Sequence, residues 1–158
     1  MPRRAGLCDL LKDAVLKLSF TPITLQQDGP RIYVSISTTP FELKEGRAVG
    51  LDFPEPIQIT ALLDTGASIT VINPQLAQTC KLRQTGFAEL LAAGSSGRYP
   101  EHAAAISFPR YGLRGFEAIK VVACPIVRQP YSCLIGRDVM SRWALTYDGV
   151  GGHVTITE

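Results

Sequence analysis

Leu62-Leu63-Asp64-Thr65-Gly66-Ala67-Ser68 is the stretch on which the fold turns. Ala61 to Leu63 are apolar and read as the end of a buried strand, which runs without a break into an acidic residue. Gly66 lets the chain turn sharply and brings backbone N–H groups towards the carboxylate, and Thr65 adds a short hydroxyl that can lock the turn. A single buried Asp is costly and of little catalytic use alone. Two such groups facing each other can share one proton, so that one activates a water and the other donates to a carbonyl. Asp-Thr-Gly by itself is also an ordinary turn after a strand, so its meaning depends on its surroundings.

Upstream of this stretch, Ile57, Ile59 and Ala61 alternate with polar neighbours, as do Ile32, Val34 and Ile36, and both runs predict strands. Pro40 to Pro56 is polar, carries Gly46 and Gly50, and predicts a loop or loose hairpin. Further upstream, Leu7, Leu10, Leu11, Val15 and Leu18 fall at steps of three and four, predicting an amphipathic helix over residues 6–19 that stops before Pro22. Downstream, Ile69 to Ile72 resume a strand. Asn73-Pro74 is a helix start, so residues 75–80 predict a short helix capped by Asn73. Phe87–Leu91 and Ala103–Phe108 predict a hairpin around Ala93-Gly94-Ser95-Ser96-Gly97. Strands are expected over Phe116–Ala123 and Tyr131–Ile135, a core helix over Arg137–Ala144, and a closing hairpin from Leu145–Tyr147 and His153–Thr157. The expected architecture is all-β in the main, with a helical extension over residues 1–25 and one domain over 26–158.

Cys133-Leu134-Ile135-Gly136-Arg137-Asp138-Val139-Met140 is the second informative segment. With Asp64-Thr65-Gly66-Ala67-Ser68 ahead of it and a glycine-rich hairpin between, the chain resembles the retropepsins, the single-lobe aspartic proteases of retroviral type. Trp143-Ala144-Leu145-Thr146-Tyr147-Asp148-Gly149 further resembles bacterial retropepsin-like proteins. The layout is shared over residues 30–157, while the specific likeness lies in these segments. The resemblance implies a single-lobe acid protease fold and an aspartic endopeptidase that needs no cofactor and no metal. Asp64 would be catalytic, Thr65 and Gly66 would support its loop, and Gly136, Arg137 and Asp138 would be structural. Ala67 and Ser68 would bind substrate, together with a flap formed by Ala93, Gly94, Ser95, Ser96 and Gly97.

Asp148-Gly149 lacks the hydroxyl residue, and neither Asp52 nor Asp138 precedes a glycine, so the second carboxylate must come from a second chain. A C2 homodimer follows, with Asp64 and its mate on the axis and Thr65 bracing the two loops. The terminal segments, including Val154–Thr157, are candidates for intersubunit strands, unless a closed hairpin end imposes another arrangement. Ala67 stands where two-lobed pepsins carry a hydroxyl bonded to the catalytic carboxylate, so the expected pH optimum is weakly acidic or neutral. Ser68 stands where many retroviral enzymes have a second Asp contacting the Arg of the Gly-Arg-Asp element. Arg137 therefore needs another partner, Asp148 or Asp138, and Tyr99 is a further candidate to line the site.

The bulk properties agree with a single domain. Of 158 residues, 46% are hydrophobic and 19% charged, which favours a folded chain over a disordered one. A formal charge of +2 from scattered Lys and Arg gives no nucleic-acid footprint. No apolar run reaches the roughly 20 residues of a membrane span, and Asp9, Lys12, Asp13 and Lys17 break the stretch that would serve as a signal. Cys8, Cys80, Cys124 and Cys133 show no metal-ligand spacing and read as reduced thiols, which points to the cytoplasm. His102 and His153 are isolated. Gly66-Ala67-Ser68-Ile69-Thr70 is no serine-hydrolase elbow, since it ends in Thr. The alternatives are a non-catalytic dimerisation or peptide-binding module of the same fold, and a processing enzyme of a mobile element whose N-terminal helix is a precursor remnant.

Overall fold

A computed structural model describes residues 15–92 and 95–158. In chain order the elements are β1 (Val15–Ser19), α1 (Pro22–Asp28), β2 (Arg31–Ser37), α2 (Pro40–Ala48), β3 (Ile57–Leu63), β4 (Val71–Ile72) and α3 (Pro74–Thr79). There follow β5 (Gln84–Ala92), β6 (Ser95–Phe108), β7 (Leu113–Ala123), β8 (Cys133–Ile135), α4 (Arg137–Met140), β9 (Ala144–Asp148) and β10 (His153–Thr157). The fold is mostly β, as the alternating patterns predict.

Seven strands run in the order β2-β3-β8-β4-β7-β6-β5, and β2 pairs again with β6 through Ile36 and Ile106, so the sheet closes on itself. The inward residues of these strands, among them Ile32, Val34, Ile36, Ala61, Ile72, Ile106, Val121, Cys133 and Ile135, are fully buried. Each large aliphatic among them contributes about 1.5–3 kcal/mol by leaving water.

A second sheet of three strands has the order β1-β10-β9. The helix expected over residues 6–19 is corrected here. Residues 15–19 are a strand, with Leu18 opposite Val154 and Val15 opposite Thr157, while residues 6–14 lie outside the described residues. The Leu spacing also satisfies a period of two, with Leu16 and Leu18 turned inwards, and an available partner strand decides the outcome. Because β10 is bonded to β1 on one side and β9 on the other, Val154–Thr157 has no free edge for a second chain.

Three more elements depart from expectation. Pro22 starts a helix instead of ending one: the Thr21 hydroxyl accepts the Thr24 N–H at 3.0 Å, and proline fits the first helical position. The stretch expected as a loop from Pro40 begins with α2. Thr39 caps it, accepting the Glu42 N–H at 3.3 Å and donating its hydroxyl to the Glu42 carboxylate at 2.9 Å. The core helix expected to reach Ala144 ends at Met140. The chain then turns to set the Trp143 ring edge-on to Phe108, 5.2 Å away, and to feed β9 into its hairpin.

Candidate active site

The position of β8 builds the site. It runs parallel to β3, with Ile135 beside Leu63, and antiparallel to β4, with Leu134 beside Val71. The strand that ends in Gly136 therefore lies between the strand entering the Asp64 loop and the strand leaving it. Backbone bonds close the junction: the Asp64 N–H donates to Ile135 O at 3.0 Å, and the Arg137 N–H to Ala67 O at 2.9 Å. The two segments singled out in the sequence thus form one unit.

Within the loop, the half-buried Asp64 carboxylate accepts the Gly66 N–H at 2.9 Å, and the Ala67 N–H donates to Asp64 O at 3.1 Å. A methyl at Gly66 would stand 3.1 Å from Asp64 Oδ1, a tight approach that would press on the carboxylate. Thr65, Gly66 and Ser68 are exposed, and Ala67 is partly buried, on the surface where a substrate or a second chain has access.

Asp138 locks this unit from below. Its two oxygens accept the Thr70 N–H at 2.9 Å, the Thr70 hydroxyl at 2.8 Å and the Val139 N–H at 2.9 Å. Thr70 is fully buried, and its oxygen also accepts the Gly136 N–H at 3.1 Å. A methyl at Gly136 would strike the Ile69 carbonyl carbon at 2.6 Å, which leaves no room for any other residue. Arg137 is partnered neither by Asp148 nor by Asp138. Its guanidinium donates to the Thr65 carbonyl at 2.6 Å, while Asp148 accepts the Gly151 N–H at 2.8 Å within the β9–β10 turn. With Ser68 too short to meet the guanidinium fork, the nearest backbone acceptor of the Asp64 loop takes the contact.

Two residues near the site carry no signal that sequence reasoning used. Tyr131 follows the loop after β7. Burial raises its phenol pKa, and the charge of Asp64 raises it further. Thr70 lies two residues past the Asp-Thr-Gly-Ala-Ser run and looks from sequence like any strand residue. Asn73 precedes α3 as expected, but its side chain makes no cap bond. It meets the Ile126 backbone, accepting its N–H at 3.4 Å and donating to its carbonyl at 3.5 Å.

The glycine-rich hairpin is β5–β6, with Leu90 opposite Gly97 and Leu91 opposite Ser96. Ala93 and Gly94 lie outside the described residues. The Tyr99 ring crosses Gly97, where a methyl would meet it at 2.5 Å, and the Tyr99 hydroxyl is hydrogen-bonded to Cys124, which raises its phenol pKa. Arg98 lies over the Phe87 ring at 4.6 Å. Among the described residues no three His, Cys, Asp or Glu side chains gather as metal ligands would.

Residues 55–142 match the family model described as gag-polyprotein putative aspartyl protease. No curated protein matches the chain. A retropepsin-like aspartic protease from Rickettsia conorii has a similar structure, with 13% identity over 99% of this chain and 97% of its own, at a TM-score of 0.50. The EIAV protease complexed with the inhibitor HBY-793 is 16% identical over 72% of this chain and 86% of its own, at a TM-score of 0.47. The family match spans more than half of the chain and contains both the Asp64 loop and the Gly136-Arg137-Asp138 element that packs beside it. The chain therefore belongs to the gag-polyprotein putative aspartyl protease family, an aspartic protease of retropepsin-like fold.

Proposed function

We propose that two copies of this chain form a C2 homodimer that hydrolyses extended peptides between two Asp64 carboxylates. One observation carries the reading: the Asp64 loop is intact and braced by Arg137 and Asp138, yet a single chain supplies only one such carboxylate. In the reaction one Asp64 takes a proton from a water while its mate donates one to the scissile carbonyl oxygen, giving a tetrahedral diol. The diol then collapses, the C–N bond breaks, and the departing nitrogen takes up a proton from the dyad.

The exposed Thr65 braces the partner loop across the axis, and Ala67 and Ser68 face the peptide backbone. The β5–β6 hairpin acts as the flap, holding the substrate by main-chain hydrogen bonds and excluding water. With both edges of β10 occupied within the chain, contact around the axis comes from the Asp64 loops instead of exchanged C-terminal strands. Free thiols at Cys80, Cys124 and Cys133 suit a reducing compartment such as the cytoplasm.

Incubation of wild type and Asp64→Asn with a peptide library, followed by mass spectrometry, tests the reading. Products from wild type alone support it. Equal products from both proteins, or none from either, remove it and favour a non-catalytic peptide-binding or dimerisation module.

A further inference from the structure

We propose that Glu101 is a positioning residue: its carboxylate pins the root of the β5–β6 hairpin to β7 and so sets how readily the hairpin opens. The inference rests on the endopeptidase reading, because that reading gives the hairpin its task of covering the peptide.

Strand pairing defines an arm and its root. β6 pairs with β7 only from Glu101 onwards, where Glu101 lies opposite Val122, and β5 is an edge strand paired with β6 alone. Residues 86–92 and 95–100 therefore form a two-stranded arm beyond the sheet, with Gly86 opposite Glu101 at its root. The register slips at this point. Gln84 lies opposite His102 and Gly86 opposite Glu101, which leaves Thr85 as the extra residue of a β-bulge. Two strands alone are marginally stable, so the hold on the root decides where the arm stands.

The chain ahead of the bulge is fixed. Cys80 and Leu82 are buried in the core, the Thr38 hydroxyl donates to Cys80 O at 2.7 Å, and Arg83 forms an ion pair with Glu42 of α2. The Ala103 N–H donates to Arg83 O at 3.1 Å, which closes the ladder just below the bulge. Movement of the arm therefore falls on Thr85 and Gly86, a short hinge at the end of an anchored segment.

Glu101 spans this hinge. One oxygen, Oε1, accepts the Thr85 hydroxyl at 3.0 Å and meets Lys120 Nζ of β7 at 3.2 Å, joining the bulge to the strand behind it. The Glu101 side chain is only 14% exposed, so both bonds form in a partly desolvated place where a charged acceptor holds its donors well. The Tyr99 hydroxyl on Cys124 holds the arm further out and does not touch the bulge. Glu101 thus acts on substrate access through the hinge and leaves the water-activating chemistry alone. Two variants cut its bonds without altering the buried residue itself. Thr85→Val removes the hydroxyl of an exposed side chain and keeps its shape, and Lys120→Met removes the charge and keeps the apolar stem. Thr85→Ser keeps the hydroxyl and serves as the rescue.

The first readout is amide hydrogen exchange of the full chain, followed by mass spectrometry of its peptides. Exchange over residues 86–100 should quicken about fivefold or more in Thr85→Val and in Lys120→Met, with β7 and Tm unchanged, and return to the wild-type rate in Thr85→Ser. The second readout is a KM-against-kcat split on one cleaved peptide. KM should rise about threefold or more in the first two variants, with kcat held within about twofold. Unchanged exchange in the arm overturns the inference, as does an equal rise throughout the chain or a fall in kcat at constant KM. Should wild type cleave no peptide, the endopeptidase reading fails by itself, and exchange still judges the hinge.

Discussion

Replacing Thr70 with valine removes one oxygen from the buried junction that holds the Asp64 loop against α4. That oxygen accepts the Gly136 N–H at 3.1 Å and donates to Asp138 at 2.8 Å, in a residue with no exposure. Valine has nearly the same shape, so the change creates no cavity. It leaves a buried N–H without a partner, at a cost of about 1–3 kcal/mol, and deletes a hydrogen bond to a carboxylate worth about 1.5–3 kcal/mol. The two share one atom and are not additive. Asp138 also keeps the Thr70 and Val139 N–H groups, so a total of about 2–4 kcal/mol is expected. Urea unfolding at fixed protein concentration measures it: with a slope of about 2 kcal/mol/M, the midpoint should fall by about 1–2 M. Thr70→Ser keeps the hydroxyl, loses one methyl, and should cost only about 1 kcal/mol. If valine and serine variants unfold within about 0.5 kcal/mol of one another, the hydroxyl does not brace the junction and the reasoning fails.

Two further outcomes follow from the titrating groups. Burial pulls the His102 pKa down, against a smaller upward pull from the Pro100 backbone, and its Nδ1 is buried with no partner among the described residues. The unfolded chain therefore takes up the proton first. Stability is complete above the ordinary His value of about 6.5 and falls as pH drops below it. His102→Gln should flatten that fall in unfolding midpoints between about pH 7.5 and 5, and an unaltered slope would count against the burial assigned to His102. Burial also pushes the Cys80 thiol up to about 11 and the Cys133 thiol further, with the charge of Asp138 adding to the second. Alkylation of the native protein at neutral pH should mark Cys124 ahead of Cys80 and Cys133 by peptide mass spectrometry. Equal labelling of Cys80 or Cys133 would show that these packed positions open readily.

The strands were legible because alternation survives in the sequence wherever one face is buried, as in Ile32-Tyr33-Val34-Ser35-Ile36. The site was legible because Asp64-Thr65-Gly66, an ordinary turn by itself, is followed in order by Gly136-Arg137-Asp138, and β8 brings the two together. The errors have physical causes. Val15–Ser19 fits both periods, and only the presence of β10 decides for the strand. Thr39-Pro40-Phe41-Glu42 carried a capping-box signal that the glycines and prolines beyond it obscured. The partners of Arg137 and Asn73 were out of reach, because both side chains bond to main-chain groups that leave no trace in side-chain identity.

Mixing wild type with Asp64→Asn tests most directly whether the active site is shared between two chains. At constant total protein, with free exchange of subunits, peptidase activity should follow the square of the wild-type fraction, dropping to about a quarter in an equimolar mixture. A linear dependence, or cleavage by Asp64→Asn alone at the wild-type rate, would show that the site does not depend on two Asp64 carboxylates.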